Sequence, residues 1–395
     1  MDYTCIMLIK GKYATAKVYT TKNVETAIED YAAAQIQALC DQPINEGCQI
    51  AVMPDVHAGI VGTIGFTQTV GKAIMPNVVG IDIGCGMTLA RVEGRIRDFQ
   101  KLDTVIREKV PAGFAIRGEA LRMADEIDLS KLHCYKNIQA DKAYRSIGTL
   151  GGGNHFIEVD QGEDGEFYLV IHSGSRHLGI EVTNFYINQG EKLLKEKGCS
   201  VPHETTYLEG QLMQEYLEDL QIVQKYADVN RQAILAEIIK GMKWKIQETY
   251  SCIHNYVESA DTTFTGTPII RKGDISAKAG EKVIIPVNMQ AGIILGTGLG
   301  NDAWNQSAPH GAGRLYKRSA VKEHFTVSQF KKAMQGIYST CIDEGTLDEA
   351  PFAYRCMDDI LEVIGETVRV DQVIRPIYNF KAGRKKKRNS LKDEK

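Results

Sequence analysis

Side chains that bind metal ions recur along this chain in separate short segments rich in glycine. The segments are GIDIGCG, GGGNHFIE, IHSGSRHLG, CIHNYVE and SAPHGAGR, and they begin near residues 80, 151, 171, 252 and 307. Histidine, cysteine and aspartate are ordinary metal ligands, and glycine lets a backbone approach a ligand closely. The pattern therefore predicts a fold that gathers distant loops around one metal- and phosphate-binding site.

Length and composition place few other restrictions on the fold. The 395 residues are 43% hydrophobic, and no low-complexity linker divides them, so one large domain with insertions is expected, with two closely packed domains as the alternative. The nine cysteines are odd in number and include no CxxC pair. They do not resemble a disulfide framework, and a cytoplasmic location is expected.

The ends of the chain and its charge bear on its partners. The first residues lack the pattern of a secretory signal, and no stretch approaches the ~18 apolar residues of a membrane span, so no membrane partner is expected. A net charge of −3 argues against a globally basic nucleic-acid binder. Residues 382–395 nevertheless include RKKKR and are expected to form a basic, flexible tail, either solvated or in contact with RNA.

The spacing of apolar residues predicts an α+β fold, because blocks of strands and helices do not alternate regularly. Helical spacing occupies residues 180–250, which we interpret as a long helical insertion in the core. The remaining predictions are a helix over 24–40, strands from 50 to 95, partial helix over 96–145, strands over 146–174 and 266–298, a loop over 296–313, and helices over most of 314–365.

Five residues are candidate metal ligands. Asp82 and Cys85 lie three residues apart in a glycine-flanked turn, where both can converge on one point, and a thiolate can bridge two cations. His155, His172 and His254 stand beside Asn154, Ser173 and Asn255, which can orient an imidazole or bind a phosphate. The five side chains are enough to fill the coordination shell of one metal ion, or they give each of two metal ions a smaller number of protein ligands. Ligand softness alone favours zinc.

His310 is the candidate nucleophile. It precedes two glycines and Arg314, a combination suited to binding a phosphate, and a helix is expected to begin after it. A neutral imidazole can attack phosphorus when cations withdraw charge from the phosphate. The alternative, that His310 only caps a helix, leaves the glycines and Arg314 unexplained. The GTLGGGN loop ending at Asn154 lacks the signature of a P-loop and is weak by itself.

Taken together and in order, these motifs resemble a known family. MPDVHAG, GIDIGCGM, GTLGGGNHFIE, IHSGSR, His254-Asn255, RKG and HGAGR are similar to the RtcB family of RNA ligases, from about residue 50 to Lys381. The resemblance implies an RtcB-like catalytic domain over residues 1–381, with β-sheets around a dinuclear metal site. It also implies an enzyme that joins RNA ending in a 2′,3′-cyclic phosphate or 3′-phosphate to RNA beginning with a 5′-hydroxyl.

The resemblance also implies how the site residues act. His310 matches the histidine that attacks GTP to form a covalent histidine–GMP, and the guanylate then moves to the RNA 3′-phosphate. The five candidate ligands match residues that hold two Mn²⁺ ions, in place of the zinc favoured by softness. Asn154, Glu158, Ala312, Gly313, Arg314 and Lys381 match nucleotide-binding positions, with Glu158 accepting hydrogen bonds from guanine. Asp55, His57, Asn255 and Asn288 are expected near the site without a defined role.

Two departures from the family pattern leave alternatives open. The chain has Pro286-Val-Asn-Met289 and Lys317-Arg318 where the family usually has Pro-Gly-Ser-Met and Ser-Arg. These changes and the short length resemble a divergent bacterial subgroup associated with RNA repair. The alternatives are a metal-dependent phosphohydrolase that opens cyclic phosphates without guanylylation, and a catalytically silent RNA-binding protein.

Overall fold

The computed structural model describes residues 5–22 and 28–383. The strands are β1 (Cys5–Lys10), β2 (Thr15–Thr20), β3 (Ile50–Ala58), β4 (Thr63–Thr69), β5 (Ala73–Ile74), β6 (Gly86–Val92), β7 (Phe156–Gln161), β8 (Phe167–Ser173), β9 (Leu208–Glu209), β10 (Ile246–Ile253), β11 (Asn255–Glu258), β12 (Ile269–Lys272), β13 (Asp274–Ser276), β14 (Lys282–Asn288), β15 (Gly292–Gly298), β16 (Ser307–Pro309) and β17 (Val368–Phe380). The helices are α1 (Asp30–Cys40), α2 (Pro76–Val79), α3 (Phe99–Lys109), α4 (Ala140–Ser146), α5 (Arg176–Glu196), α6 (Gly210–Met242), α7 (Val321–His324), α8 (Val327–Ala333) and α9 (Met357–Ile364).

Two large sheets confirm the predicted α+β class. One is six-stranded, in the order β1-β2-β3-β4-β12-β11, and is mixed because β2 and β3 run parallel. The other is seven-stranded, in the order β10-β6-β8-β7-β17-β15-β14, with antiparallel neighbours throughout. Two small pairs, β5 with β9 and β13 with β16, complete the sheet structure of the described residues.

The seven-stranded sheet brings four candidate ligands to one edge. Cys85 directly precedes β6, His155 precedes β7, His172 lies near the end of β8, and His254 follows β10. In the antiparallel register, Met87 and Phe156 both pair with His172, and Gly86 pairs with Ile253. The starts of β6 and β7 therefore meet the ends of β8 and β10 at the same sheet edge.

Helices α5 and α6 confirm the predicted helical block, although it begins at residue 176 and ends at 242. Buried residues recur along α6 at helical spacing, from Tyr216 through Leu220, Val223 and Ala227 to Ile234. The helix is therefore a core element, as expected. Arg231 on α6 is fully buried and donates hydrogen bonds to the carbonyls of Gly84 and Ser173, at 2.7 and 3.1 Å. Those bonds tie the helix to two loops of the ligand-bearing edge.

Several local predictions were inaccurate. Helix α1 begins at Asp30, and residues 23–27 lie outside the described residues. The prediction of helices over most of 314–365 is wrong, because the segment contains only three short helices and two 3₁₀ turns joined by loops. Gly336, with a φ of 94°, and Pro351 interrupt the helical pattern. The strands β1, β2, β11 and β17 were not anticipated, and β10 lies partly where the helical block was expected.

The helix expected directly after His310 is also absent. Arg314 instead forms an isolated β-bridge with Tyr354, and the next helix begins at Val321. Apolar residues of this region form a small separate core around Val321, Phe330, Met334 and Leu347. Loops packed on that core replace the regular helices that the sequence spacing indicated.

None of the helices within residues 5–22 and 28–383 combines the length and apolar composition that crossing a membrane requires.

Candidate metal centre and nucleotide site

The candidate ligands form two groups that share Cys85. In the first group, His155 Nε2 lies 2.9 Å from Asp82 Oδ2 and 3.3 Å from Cys85 Sγ. In the second, His172 Nε2 lies 3.3 Å from Cys85 Sγ and 3.2 Å from His254 Nε2. Within each group the ligand atoms lie within 4.8 Å of one another. The sequence left open how the histidines divide; this geometry places His155 with Asp82, and His172 with His254.

Local hydrogen bonds direct lone pairs into the cluster. His172 Nδ1 lies 3.2 Å from the backbone carbonyl of Asn154, a group that can only accept, so Nδ1 carries the proton and Nε2 offers its lone pair to the centre. Burial, and then the charges of neighbouring histidines, hold the pKa values of His172 and His254 well below the usual range. Both rings are therefore neutral, which is the form that binds a metal.

The charges of the first group also suit a cation. Burial would raise the pKa of Asp82, but the adjacent His155 lowers it to about 2, so this carboxylate is ionised at neutral pH. Burial, and then Asp82, raise the pKa of the Cys85 thiol well above its usual value. A bound cation offsets both effects by stabilising a thiolate. The buried donors of the two groups, with one shared sulfur, fit one or two divalent metal ions.

Close backbone packing holds the Asp82 turn in place. A side chain at Gly174 would put its Cβ 2.1 Å from Asp82 Oδ1, so only glycine allows this approach. The neighbouring backbone N–H of Ser175 donates to the same oxygen at 3.1 Å. Asn255 links the Asp82 turn to the next loop, because its side chain donates to the Asp82 carbonyl and accepts from the Gly273 N–H, at 3.3 and 2.9 Å.

His310 stands beside this cluster with one nitrogen already engaged. Its Nδ1 lies 2.8 Å from the Oδ2 of Asp55, a fully buried carboxylate on β3, and its ring centroid is 4.5 Å from that of His254. The Nδ1 proton is donated to Asp55, which leaves the Nε2 lone pair for chemistry. Gly313, with a φ of 73°, lets the loop pack on β3, because a Cβ there would lie 2.3 Å from the Asp55 carbonyl.

Residues matched to nucleotide binding line the adjoining part of the seven-stranded sheet. Glu158 on β7 is buried and accepts a hydrogen bond from the side chain of Asn379 on β17. Lys381 follows β17 and donates to the Asn154 carbonyl at 3.3 Å and to Glu349 at 2.7 Å. Ala312 is buried in the same apolar cluster as Phe156, the residue next to His155. These positions are brought together between the His310 loop and β7.

Arg314 lies in a different setting from the phosphate contact that the sequence indicated. Its guanidinium donates to Glu349 at 3.3 Å, to the hydroxyl of Tyr354 at 2.9 Å, and to the carbonyls of Tyr316 and Asp348. We call the group of Arg314, Arg318, Glu349, Tyr354 and Lys381 the ion cluster. Burial would raise the pKa of Glu349, but Lys381, Arg318 and Arg314 lower it to about 2.

The remaining candidates divide between the site and local structure. His57 donates from Nδ1 to the Asp55 carbonyl at 2.9 Å, which places it beside the His310 support. Asn288 is occupied within its own turn, where its side chain accepts from the N–H groups of Gln290 and Ala291 at 3.0 and 2.8 Å. Lys317 lies over the ring of Tyr31, 5.0 Å from its centroid.

Sequence reasoning missed several buried polar residues near these positions. Glu349 and Asn379 gave no signal, because neither belongs to a glycine-flanked motif. Asp274 lies directly after the RKG motif, and the only available signal was that motif itself. Both of its carboxyl oxygens are buried and have no hydrogen-bond donor among the described residues. Asp160 was also missed, although it stands two residues beyond Glu158 on the same strand.

Comparisons with known proteins agree with the motif pattern. A family model described as "tRNA-splicing ligase RtcB" matches residues 35–382. The chain is 29% identical to "RNA-splicing ligase RtcB" of Escherichia coli strain K12, with 84% of this chain and 90% of that protein covered. It is 26% identical to "tRNA-splicing ligase RtcB" of Archaeoglobus fulgidus, covering 90% and 91%. It is 25% identical to "RNA-splicing ligase RtcB2" of E. coli strain ATCC 25922, covering 94% and 98%.

Proposed function

This chain belongs to the RtcB family, and from that premise we propose that it is a GTP- and Mn²⁺-dependent RNA ligase. It joins RNA ends that carry a 2′,3′-cyclic phosphate or 3′-phosphate to ends that carry a 5′-hydroxyl. The observation that carries the proposal is the setting of His310. Its Nδ1 lies 2.8 Å from the buried Asp55 carboxylate, and its ring packs against that of His254. A nucleophile with a free Nε2 lone pair thus adjoins a cluster of metal donors.

The cluster would hold two Mn²⁺ ions, and Cys85 belongs to both sets of donors. Asp82 and His155 complete one set of donors, and His172 and His254 the other. Bound cations would withdraw charge from the phosphates and favour the Cys85 thiolate. Manganese follows from the family, whereas the cysteine and histidines alone favour zinc. Metal analysis of the purified protein separates the two ions.

His310 carries the covalent step. Its Nε2 attacks the α-phosphorus of GTP, so that a P–N bond forms as the bond to the β-phosphate oxygen breaks and pyrophosphate leaves. The ring gains positive charge because Nδ1 keeps its proton, and the Asp55 carboxylate stabilises that charge. A 2′,3′-cyclic end is first opened by water, which breaks the bond from phosphorus to O2′ and leaves a 3′-phosphate. An oxygen of the RNA 3′-phosphate then attacks the guanylate phosphorus, and the P–N bond breaks to release neutral His310. The RNA 5′-hydroxyl oxygen then attacks the RNA 3′-phosphorus and gives up its proton to solvent, so that the phosphodiester forms as the anhydride bond to GMP breaks and GMP leaves.

Glu158 provides the GTP preference. As an anion it accepts hydrogen bonds from guanine N1–H and from the exocyclic amine, whereas adenine presents an acceptor at N1. Its burial supports this role, as does Phe156, two positions before it on the same face of β7, which belongs to the apolar cluster of Ala312. Lys381 and Asn154 close the nucleotide site through their mutual hydrogen bond. Arg314 contributes by holding the loop after Gly313, since its donors are engaged within the ion cluster.

RNA repair in the cytoplasm is the proposed setting, with cleaved ribosomal RNA and fragments left by tRNA-cleaving toxins as candidate substrates. The RKKKR run of the tail, in residues outside the described part of the chain, is a candidate RNA contact.

The decisive experiment incubates the protein with Mn²⁺ and α-labelled GTP. The expected result is a covalent label that is labile in acid and stable in alkali, as a P–N bond is. The label is absent in His310→Ala and retained in His203→Ala, whose histidine is exposed and paired with Glu191. An unlabelled wild type with its metal bound would overturn the proposal.

The same variants test the phosphohydrolase alternative. If His310→Ala opens a 2′,3′-cyclic phosphate at the wild-type rate and the wild type takes no label, the cluster is a hydrolase centre. If neither protein acts on RNA ends and Cys85→Ala binds RNA normally, the chain is a silent RNA-binding protein.

A further inference from the structure

Strand β7 carries two buried carboxyl side chains on one face. Glu158 and Asp160 are two residues apart, so both point to the same side of the sheet, and their exposed fractions are 2% and 0%. Their neighbours on the adjacent strand β8 are Val170 and Tyr168. Both neighbours belong to an apolar cluster of the core. Two carboxyl groups buried together in such surroundings cannot both remain ionised without compensating charge.

The partners of the two groups differ. Glu158 accepts from the Asn379 side chain, and the positive charge of Lys381 acts on it. Within residues 5–22 and 28–383, neither oxygen of Asp160 has an N–H or side-chain O–H donor. The residue opposite Asp160 on β17 is Pro376, which has no N–H to donate. The polar group that acts on Asp160 is the Glu158 carboxyl, two positions away on the same face of β7.

A hydrogen bond between two carboxyl groups requires a proton on one of them. Burial, and then Glu158, raise the pKa of Asp160 well above its usual value, whereas burial raises that of Glu158 to about 7, opposed by Asn379, Asp160 and Lys381. The group with a donor and a nearby cation keeps the charge, and the group without either keeps the proton. Glu158 therefore ionises first, and Asp160 keeps its proton when it does.

We propose that Asp160 is a positioning residue for base recognition, which acts as a neutral carboxylic acid that donates a hydrogen bond to Glu158. With Asn379, it occupies two of the roughly four lone-pair sites of the Glu158 carboxylate. The two sites left over match the two donors on the Watson–Crick edge of guanine, N1–H and the exocyclic N–H. This inference rests on the proposed function, because it assigns Asp160 a role through Glu158 in the guanine site.

Two substitutions separate the donor from the shape. In Asp160→Asn, the side chain keeps its size and neutrality, and its amide donates to Glu158. In Asp160→Leu, the size is similar but no donor remains. We expect Asp160→Asn to keep the wild-type preference for GTP over ATP within about threefold. We expect Asp160→Leu to reduce that preference by about 10- to 100-fold, the usual effect of leaving a buried partner unpaired.

The kinetic signature distinguishes positioning from general damage. Asp160→Leu should raise the GTP concentration that half-saturates labelling of His310, while the maximal labelling rate and the metal content stay near wild type. In this variant the apparent affinity for ITP, which lacks the exocyclic amine, should fall less than the apparent affinity for GTP. The half-saturating concentrations of the two nucleotides should therefore become more similar. If the half-saturating concentrations of GTP, ITP and ATP rose by the same factor, Asp160 would have a structural role only, and the proposal would be overturned.

A second measurement needs no nucleotide. Difference infrared spectra at neutral pH should show a carboxylic-acid carbonyl band in wild type that Asp160→Asn removes and Asp302→Asn, a change of an exposed aspartate, does not. Absence of that difference would show that Asp160 is ionised and would overturn the proposal. If wild type takes no label from GTP, the proposed function fails. If wild type labels and Asp160→Leu discriminates normally, only the role of Asp160 fails.

Discussion

The metal-ligand edge of the seven-stranded sheet and the ion cluster differ in how their buried charges are balanced. At the edge, a thiol, a carboxylate and neutral imidazoles converge, with Cys85 Sγ 3.3 Å from two different histidine nitrogens. In the ion cluster, Glu349 is buried among Arg314, Arg318 and Lys381, which are its own counter-charges. The donors of the first group are suited to cations from outside the chain, whereas the second group contains its own cations.

The two regions show how buried polar groups that are free to bind a ligand differ from those that are already paired. Buried donor atoms from several residues that converge on one point are arranged to bind a cation. Charges that are already paired stabilise the fold only if every partner stays in place. A change at the edge should therefore affect metal content and activity, and a change in the ion cluster should affect the free energy of unfolding.

The largest expected effect is that of Cys85→Ala. The substitution removes the one donor common to both groups, so metal content should fall sharply and histidine guanylylation by more than about 100-fold. The measurements are elemental analysis and labelling with α-labelled GTP. Cys134→Ala, which alters a buried thiol beside Asp219, is the matched control and should label normally. If Cys85→Ala were labelled normally after removal of free metal, the sheet edge would not be the metal site that labelling requires.

Asp55→Asn should slow guanylylation by about 100-fold with little change in metal content. The substitution keeps the shape but removes the negative charge that stabilises the imidazolium formed on His310. Single-turnover labelling rates test this, with Asp302→Asn as the control at an exposed turn. A rate within threefold of wild type would mean that the 2.8 Å contact between Asp55 and His310 has no role in the chemistry.

Glu349→Gln should cost about 3–5 kcal/mol in the free energy of unfolding, because three cations lose their buried partner. Denaturant titration at neutral pH measures this, and Glu323→Gln on short helix α7 is the exposed control. Metal content should stay near wild type. If Glu349→Gln lost metal while its free energy of unfolding stayed unchanged, the ion cluster would act in metal binding and not in stability.

The pH dependence of the same variant follows from the lowered pKa of Glu349, about 2. A carboxyl whose pKa is lower in the folded state than in the unfolded chain stabilises the fold above the unfolded value, about 4.3. That contribution is lost as the pH falls toward 2. The unfolding free energies of wild type and Glu349→Gln should therefore converge between pH ~5 and ~2. A constant difference over that window would contradict the assignment.

The smallest expected effect concerns the basic run at residues 384–388. Deletion of residues 384–395, which lie outside the described residues, should weaken RNA binding and flatten its dependence on salt concentration. Deletion of 389–395 keeps the RKKKR run and should leave the salt slope unchanged. If RNA affinity depended on salt concentration equally in both truncations, the RKKKR run would not contact RNA.

The five candidate metal ligands lie in short, ordered motifs, which is why the sequence could single them out, and their role as ligands stays a prediction. Asp82, Cys85, His155, His172 and His254 all reach one cluster, and the α+β class and the α5–α6 block were confirmed. It predicted the region after residue 314 poorly. Helical spacing there reflects packing on a small separate core rather than continuous helices, and the contacts of Glu349 join residues over 30 positions apart.

By itself, the sequence determined the family, the order of the motifs and the chemical types of the candidate ligands, since these are properties of short segments. Only the tertiary structure decided that Cys85 is shared between two groups, that Asp55 faces His310, and that Arg314 is engaged with Glu349. It also decided that Asp160 is buried on the same face of β7 as Glu158, with no N–H or side-chain O–H donor among residues 5–22 and 28–383. The physical reason is that charge and proton placement depend on which distant groups share a buried volume, and sheet register and loop packing set that.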